Sequence, residues 1–333
     1  MKNLNLSKRL LCAVIAFIIA TFVGIPFISA ETEGPFQYTV YNAEARIAKC
    51  DQSVQGHLDI PETLGGYPVT VIGYQSFVGC YDLTSITIPP SVHSLVGGAF
   101  MLTGLTEVTI PKSVTRIDGS VFADCYNMSG ITVEEGNPNY VSIDGVLFTK
   151  DLTELMCYPT GKTGNEYEIP KGVQKVRYWA FSGNPYLQRV VLPDTVTAVS
   201  EDSFYACETL TDVTVPASVS EIGEAAFGWS YDMEVDFYCR IPGFVMHGYA
   251  GTAAEQYCLK DDLDFDVLNQ KGDNNHDDTI NAKDALVALQ LAVNKIESTP
   301  GLVQVTDVNG DTHVNAKDAL EILKKAVGKP ACF

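Results

Sequence analysis

Two stretches near the C-terminus carry the residues best suited to chemistry. Asp273, Asn275, Asp277, Asn281 and Asp284 recur with the same spacing as Asp307, Asn309, Asp311, Asn315 and Asp318. Both stretches read D-x-N-x-D-x-x-x-N-A-K-D-A-L. Oxygen-bearing side chains thus fall at positions 1, 3, 5, 9 and 12 of a twelve-residue loop, the spacing with which a chain wraps a hard cation. Thr279 and His313 at position 7 add a backbone carbonyl each. Three carboxylates per loop leave a charge of about −1 once one Ca²⁺ is held, so the expected cofactor is two calcium ions.

Position 6 departs from the usual glycine: it is Asp278 in the first loop and Thr312 in the second. Aspartate tolerates a left-handed backbone, whereas a β-branched threonine there is strained. The second loop is therefore expected to bind calcium more weakly than the first.

Each loop runs directly into an amphipathic helix. Leu286, Leu289, Val293 and Ile296 mark one apolar stripe, and Leu320, Leu323 and Val327 mark the other. A paired EF-hand would also need a helix before each loop, and the short connection 269–272 cannot supply one. This loop-plus-one-helix duplication over 271–333 resembles a type I dockerin. The resemblance implies a cohesin module of a scaffoldin as partner and a cellulosome-like, polysaccharide-degrading assembly as setting. It implies the ligands named above, with Asn281 and Asn315 reached through water. It also assigns cohesin reading to Ala282, Lys283, Ala316 and Lys317, with Lys324 and Lys325 contributing. The first half answers Lys324 and Lys325 with Gln290 and Leu291, so one docking orientation is expected to be preferred.

The rest of the chain is a repeat array. Phe77, Phe100, Phe122, Phe181, Phe204 and Phe227 each follow a V-x-x-I-like segment and precede an L-x-x-I-x-I-P-like strand, with a period of about 22–23 residues. A unit this short cannot bury its own apolar face, and stacking the units does. The strand alternates with period 2 and ends at a proline, which lacks the N–H to continue a ladder. The A-x-x-F-like segments are read as a compact helical or turn return. Residues 142–148 and 155–159 interrupt the period as an inserted strand pair. Over roughly 36–268 these repeats resemble the BspA-like bacterial leucine-rich repeats of surface and secreted proteins. That resemblance implies a solenoid with a parallel sheet along one face. The expected fold is α+β: this solenoid, with caps at both ends, followed by a small all-α dockerin with two calcium loops.

Ser85, Thr87, Glu107, Thr109, Gly130, Thr132, Arg189, Val191, Asp212 and Thr214 point outward from the strands and offer a binding face, or simply a solvated threonine ladder. Tyr74, Tyr178, Trp179 and Tyr205 flank the return, either as an aromatic edge for sugars or as ordinary packed and exposed aromatics. Cys80, Cys125 and Cys207 share a register with Thr103, Asn184 and Ser230 and read as a ladder of small buried residues. Cys239 with Cys258 is the first pair to consider for a disulfide; Cys50, Cys157 and Cys332 have no evident partner.

The first thirty residues read as an export signal. Lys2, Lys8 and Arg9 precede an apolar run from Leu10 to Val23, and a cleavage site follows Ala30. An uncleaved anchor is the alternative, because the run is nearly long enough to span a bilayer. The domain plan is then 1–30 signal, 31–268 repeats and 269–333 dockerin, in a secreted protein tethered through a scaffoldin. The net charge of −19 disfavours nucleic acid as a partner. The five histidines stand in no H-E-x-x-H, and neither a G-x-S-x-G elbow nor a C-x-x-C occurs. The expectation is a non-catalytic protein whose repeats bind a protein, cell surface or glycan. The alternative is a calcium-dependent extracellular adhesin that never meets a scaffoldin.

Overall fold

The computed structural model describes residues 30–232, 237–249, 252–268, 271–274, 279–296, 305–311 and 313–333. The expected export signal falls almost wholly outside them. Contacts divide the chain into two compact units. The first comprises Met1–Thr163, Val176–Pro185 and Asp202–Tyr205; the second comprises Gly164–Lys175, Tyr186–Glu201 and Ala206–Phe333.

In the first unit the strands Glu31–Glu33, Phe36–Tyr41 and Glu44–Cys50 form an antiparallel meander. Its last strand then pairs in parallel with Tyr67–Ile72, which begins the coils. From there the V-x-x-I segments make a ladder of their own, through Ser94–Leu95 to Arg116–Ile117. The L-x-x-I-x-I segments make another, with Gly56–Asp59 beside Leu83–Thr87 and Glu107–Ile110 beside Gly130–Val133, all parallel. Each coil thus contributes two strands rather than one. The alternation along Glu107–Ile110 sends Val108 and Ile110 inward and leaves Glu107 and Thr109 exposed. The return between the ladders is made of turns, with left-handed residues at Gln75, Leu102, Asp124 and Trp179. The proline closing each strand turns the corner: Val92 and Val114 donate N–H to the carbonyls of Pro89 and Pro111.

A column of aromatic rings fills this unit. Phe77 lies 5.1 Å from Phe100, and Phe100 lies 5.6 Å from Phe122 with the planes at 4°. Further along, Tyr158 stacks on Phe181 at 5.0 Å and Phe181 on Phe204 at 4.3 Å. Each such pair adds about 0.5–1.5 kcal/mol beyond the area it buries. Tyr158 shows that the interruption keeps the column going. The insertion is a three-stranded meander, Tyr140–Ile143, Val146–Thr149 and Glu154–Cys157, where a strand pair was expected. The first two strands are joined by Asp144 and Gly145, at φ 49° and 78°. Two positive φ values in a two-residue connection match the twist of the strands it joins.

In the second unit Glu166–Glu168, Arg189–Val191, Asp212–Thr214, Val245–Gly248 and Asp264–Val267 form a five-stranded parallel sheet. Helix α1, Ala253–Asp261, closes the coils. Its Tyr257 hydroxyl accepts the N–H of Phe227 and donates to the carbonyl of the same residue. One side chain thereby supplies both hydrogen bonds that a further coil would have made.

The small-residue ladder is a column of buried donors. Thr103 Oγ1 donates to Phe100 O at 2.9 Å, Cys125 Sγ to the same carbonyl at 3.0 Å, and Asn184 Nδ2 to Thr160 O at 2.9 Å. The suggested Cys239–Cys258 pair is overturned. Cys258 Sγ rests 3.7 Å from Met246 Sδ, and Cys239 Sγ faces Ser230 O.

Candidate metal centre and docking surface

Two short helices carry the C-terminal site: α2, Ala282–Ala292, and α3, Ala316–Ala326. The same reciprocal cap starts each. Asn281 Oδ1 accepts the N–H of Lys283 at 2.8 Å, and Asp284 Oδ2 accepts the N–H of Asn281 at 2.8 Å. Asn315 and Asp318 repeat this at 2.9 Å for both bonds. A capping box satisfies two of the four orphan N–H groups at a helix start, and it explains Asn and Asp three residues apart by local physics alone. The same aspartates also hold the loops, since Asp284 Oδ1 accepts the N–H of Asn274 at 2.8 Å and Asp318 Oδ1 that of Asn309 at 3.3 Å. Both aspartates are fully buried.

In the second loop Asp307, Asp311 and Asp318 converge, with ligand oxygens all within 4.8 Å of one another. Backbone N–H groups set this geometry: Asp307 Oδ1 accepts from Gly310 at 2.9 Å and Asp311 at 3.2 Å, and Asn309 Oδ1 accepts from Asp311 at 2.9 Å. Gly310, at φ 72°, makes the turn that brings these N–H groups inward. Three carboxylates this close repel one another, and an all-oxygen donor set suits a hard divalent cation. The residues present therefore fit calcium. In the first loop Asp273 and Asp284 are buried, Asn281 is half-buried and Thr279 is exposed. Asn275 and Asp277 lie outside the described residues, as do Asp278 and Thr312 at position 6. The amides of Asn281 and Asn315 donate to the carbonyls of Thr279 and His313, at 2.8 and 2.9 Å.

The helices pack through their alanines and not through the apolar stripes. Ala285, Ala288, Ala319 and Ile322 form the core with Val308, and Ile280 and Phe333 border it. Leu286 and Leu289 on α2 with its C-cap Val293, and Leu320 and Leu323 on α3 with its C-cap Val327, are instead 41–62% exposed. Alanines at the contact let helices approach closely, which leaves the larger side chains of the stripe outside. Ile296 is half-buried. Ala282, Lys283, Ala316 and Lys317 are exposed at the head of these stripes. The two basic residues of α3 have partners within the chain. Lys324 pairs with Glu321, whose carboxyl it holds below the usual range, and Lys325 lies 5.6 Å from the Phe333 ring.

One tie carried no sequence signal beyond the mismatch of Asn274 with Val308. Buried Asn274 donates to Asp284 O at 2.9 Å and accepts from Thr306 Oγ1 at 2.9 Å, joining the first loop to the entry of the second.

The outward repeat positions carry two polar clusters. His57 lies 2.8 Å from Ser85 Oγ and 3.0 Å from Asp59 Oδ1, and its ring is half exposed. His247 stands between Asp266 at 2.9 Å and Asp212 at 3.7 Å, and Asp212 also faces Arg189 at 3.7 Å. Trp179 lies 5.7 Å from both Tyr178 and Tyr205, all half-buried, whereas Tyr74 is exposed.

Coiled parallel ladders over a phenylalanine column, joined to a duplicated acidic loop–helix module, define a solenoid protein with a docking tail. Residues 57–155 and 157–238 match the BspA type leucine rich repeat region in six copies, and residues 271–327 match the dockerin type I domain. The chain belongs to the BspA-type leucine-rich repeat family and carries a type I dockerin domain. Among solved structures it is similar to a leucine rich cell surface protein from Faecalibacterium prausnitzii, at 19% identity over 74% of this chain and 97% of that one, with a TM-score of 0.45. It is also similar to a leucine-rich repeat protein from Eubacterium ventriosum, at 21% identity over 67% and 72%, with a TM-score of 0.42. No curated protein matches it. Leucine-rich repeats are protein-binding modules, and type I dockerins are calcium-binding modules that dock onto cohesins. Both are non-catalytic module types, typical of extracellular bacterial proteins. Among the described residues no helix is long and apolar enough to cross a membrane.

Proposed function

We propose that this is a secreted, non-catalytic component of a cellulosome-like complex. Residues 269–333 dock calcium-dependently onto a cohesin of a scaffoldin, and residues 31–268 present a protein- or surface-binding array. Two calcium ions are held by Asp273, Asn275, Asp277, Thr279 and Asp284 in one loop and by Asp307, Asn309, Asp311, His313 and Asp318 in the other. Asn281 and Asn315 act through water.

The observation that carries this reading is the exposed stripe. Leu286, Leu289 and Val293 match Leu320, Leu323 and Val327 position for position, and all six face solvent. A tail serving only as a calcium-stabilised cap would have turned these side chains inward. The buried carboxylates fix the start of each helix and so hold the stripe, with Lys283 and Lys317 at its head, in one orientation. The test is retention of the full chain on a panel of immobilised cohesins, with calcium and with chelator. Binding should vanish with chelator and in the Asp284→Ala, Asp318→Ala double variant. Leu289→Asp with Leu323→Asp should abolish it while leaving calcium affinity unchanged. Failure to bind any cohesin in calcium would favour the adhesin.

A further inference from the structure

The helix that closes the coils covers only part of their end. Tyr257 of α1 completes the hydrogen bonds of the return at Phe227, and the V-x-x-I ladder is left open. Its final strand among the described residues, Glu221–Ile222, pairs on one side with Ala198–Val199. On that side Ser220 and Glu221 donate N–H to Thr197 O at 2.9 and 3.3 Å, and Gly223 donates to Val199 O at 2.9 Å. Earlier coils repeat the pattern: Thr115 and Arg116 donate to His93 O, and Asp118 donates to Leu95 O. One coil further on, the carbonyls in these two positions are Ser220 O and Ile222 O. Among the described residues neither accepts a hydrogen bond.

Both residues line a cavity of about 530 Å³ between this strand and α1, together with Lys175, Ala253, Gln256 and Lys260 among others. Carbonyls two residues apart on a strand match the N–H groups of an extended peptide laid parallel to it. An open edge of this kind is a template for strand addition. The lining also selects what the peptide carries. Lys175 is half-buried and has no ion pair among the described residues. Lys260 meets Glu224 at 3.8 Å, with both side chains largely exposed. Glu221 is the one carboxylate in the lining. Two ammonium groups against one carboxylate reverse the balance of a chain with net charge −19, and that reversal favours an acidic strand.

We propose that this groove takes an acidic, extended peptide of a partner protein, which adds to Glu221–Ile222 as a parallel strand. Its N–H groups reach Ser220 O and Ile222 O, and its carboxylates lie toward Lys175 and Lys260. Strand addition here rests on the array being a protein-binding surface, and it is separable from docking of the tail and from the outward sheet face.

The probe is a capped, fluorescein-labelled peptide copying residues 217–224, Ala-Ser-Val-Ser-Glu-Ile-Gly-Glu, a segment that the Ala198–Val199 edge already holds within the chain. It is titrated with the full chain in calcium and followed by fluorescence anisotropy. Saturable binding is expected. N-methylation of the peptide's glycine, whose N–H would meet Ile222 O, should weaken it about tenfold. The same change at its isoleucine, whose N–H points away from the edge, should not. Ala253→Trp fills the groove and should abolish binding with the melting temperature unchanged, and Lys260→Glu should weaken it. Absence of saturation, equal loss from both methylations, or full binding to a folded Ala253→Trp chain would overturn strand addition. Binding unchanged by Lys260→Glu would overturn the acidic preference. Self-association of the chain that the peptide does not compete, and that Ala253→Trp abolishes, would assign the edge to a second copy instead. Retention on cohesins, and capture of a protein through the sheet face, are read separately and survive each of these failures.

Discussion

The repeat array and the C-terminal tail solve the same problem with different materials. In the array, stacked rings such as Phe77, Phe100 and Phe122 are fully or nearly fully buried, and each coil covers the apolar face of the next. In the tail the core among the described residues is built on Ala285, Ala288, Ala319, Ile322 and Val308, and the buried polar side chains beside it include Asp273, Asp284 and Asp318. An array of this kind is stabilised by area removed from water. A small core that also buries carboxylates needs a cation, because metal binding energy is then folding energy. The contrast separates two sources of stability, and each can be removed alone.

The largest expected effect is removal of calcium. Chelation should unfold residues 271–333 and abolish the α2 and α3 signal in circular dichroism, while the array keeps its own melting transition. Unchanged helix content would break the comparison. Next comes the converse. Phe181→Ala, which removes a ring stacked between Tyr158 and Phe204, should cost the array about 3–5 kcal/mol in denaturant unfolding. It should leave calcium affinity untouched, and a loss of calcium binding would show the regions to be coupled. Asp318→Ala should weaken calcium at the second loop by about a hundredfold, or about 2.7 kcal/mol. It removes a converging carboxylate and strands the N–H groups of Asn309 and Asn315. Titration calorimetry that found no change would mean Asp318 is a cap and not a ligand. The smallest effect lies within the tail. Wild-type titration should resolve two unequal sites with the second loop weaker, and equal sites, or a weaker first loop, would remove the argument from Thr312.

The two regions were also unequally legible. The repeats announce themselves because a stacked coil demands the same residue at the same place in every copy, so Phe, Ile and Pro recur in register. The second parallel ladder was hidden by its brevity. Two residues per strand, as at Ser94–Leu95 and Arg116–Ile117, give no alternation to read. Tyr158 escaped notice as a column member because the insertion broke the period that would have aligned it with Phe181. In the tail the loop spacing was plain, yet the buried face of each helix was not. Periodicity marks a stripe of leucines and valines, and it does not say whether that stripe meets a partner helix or solvent. Alanine, whose small size decides how closely helices approach, carries almost no signal in such a pattern.

What the sequence determined by itself is the material covalent order repeats: coils that must stack, loops rich in oxygen, and helices that start at Asn281 and Asn315. These follow from residue types at fixed spacing, which local sterics and hydrogen bonding convert into structure. Tertiary structure alone decided which face of each tail helix is free. It also decided which tyrosine closes the last coil. Those outcomes depend on distances between segments that no local spacing encodes.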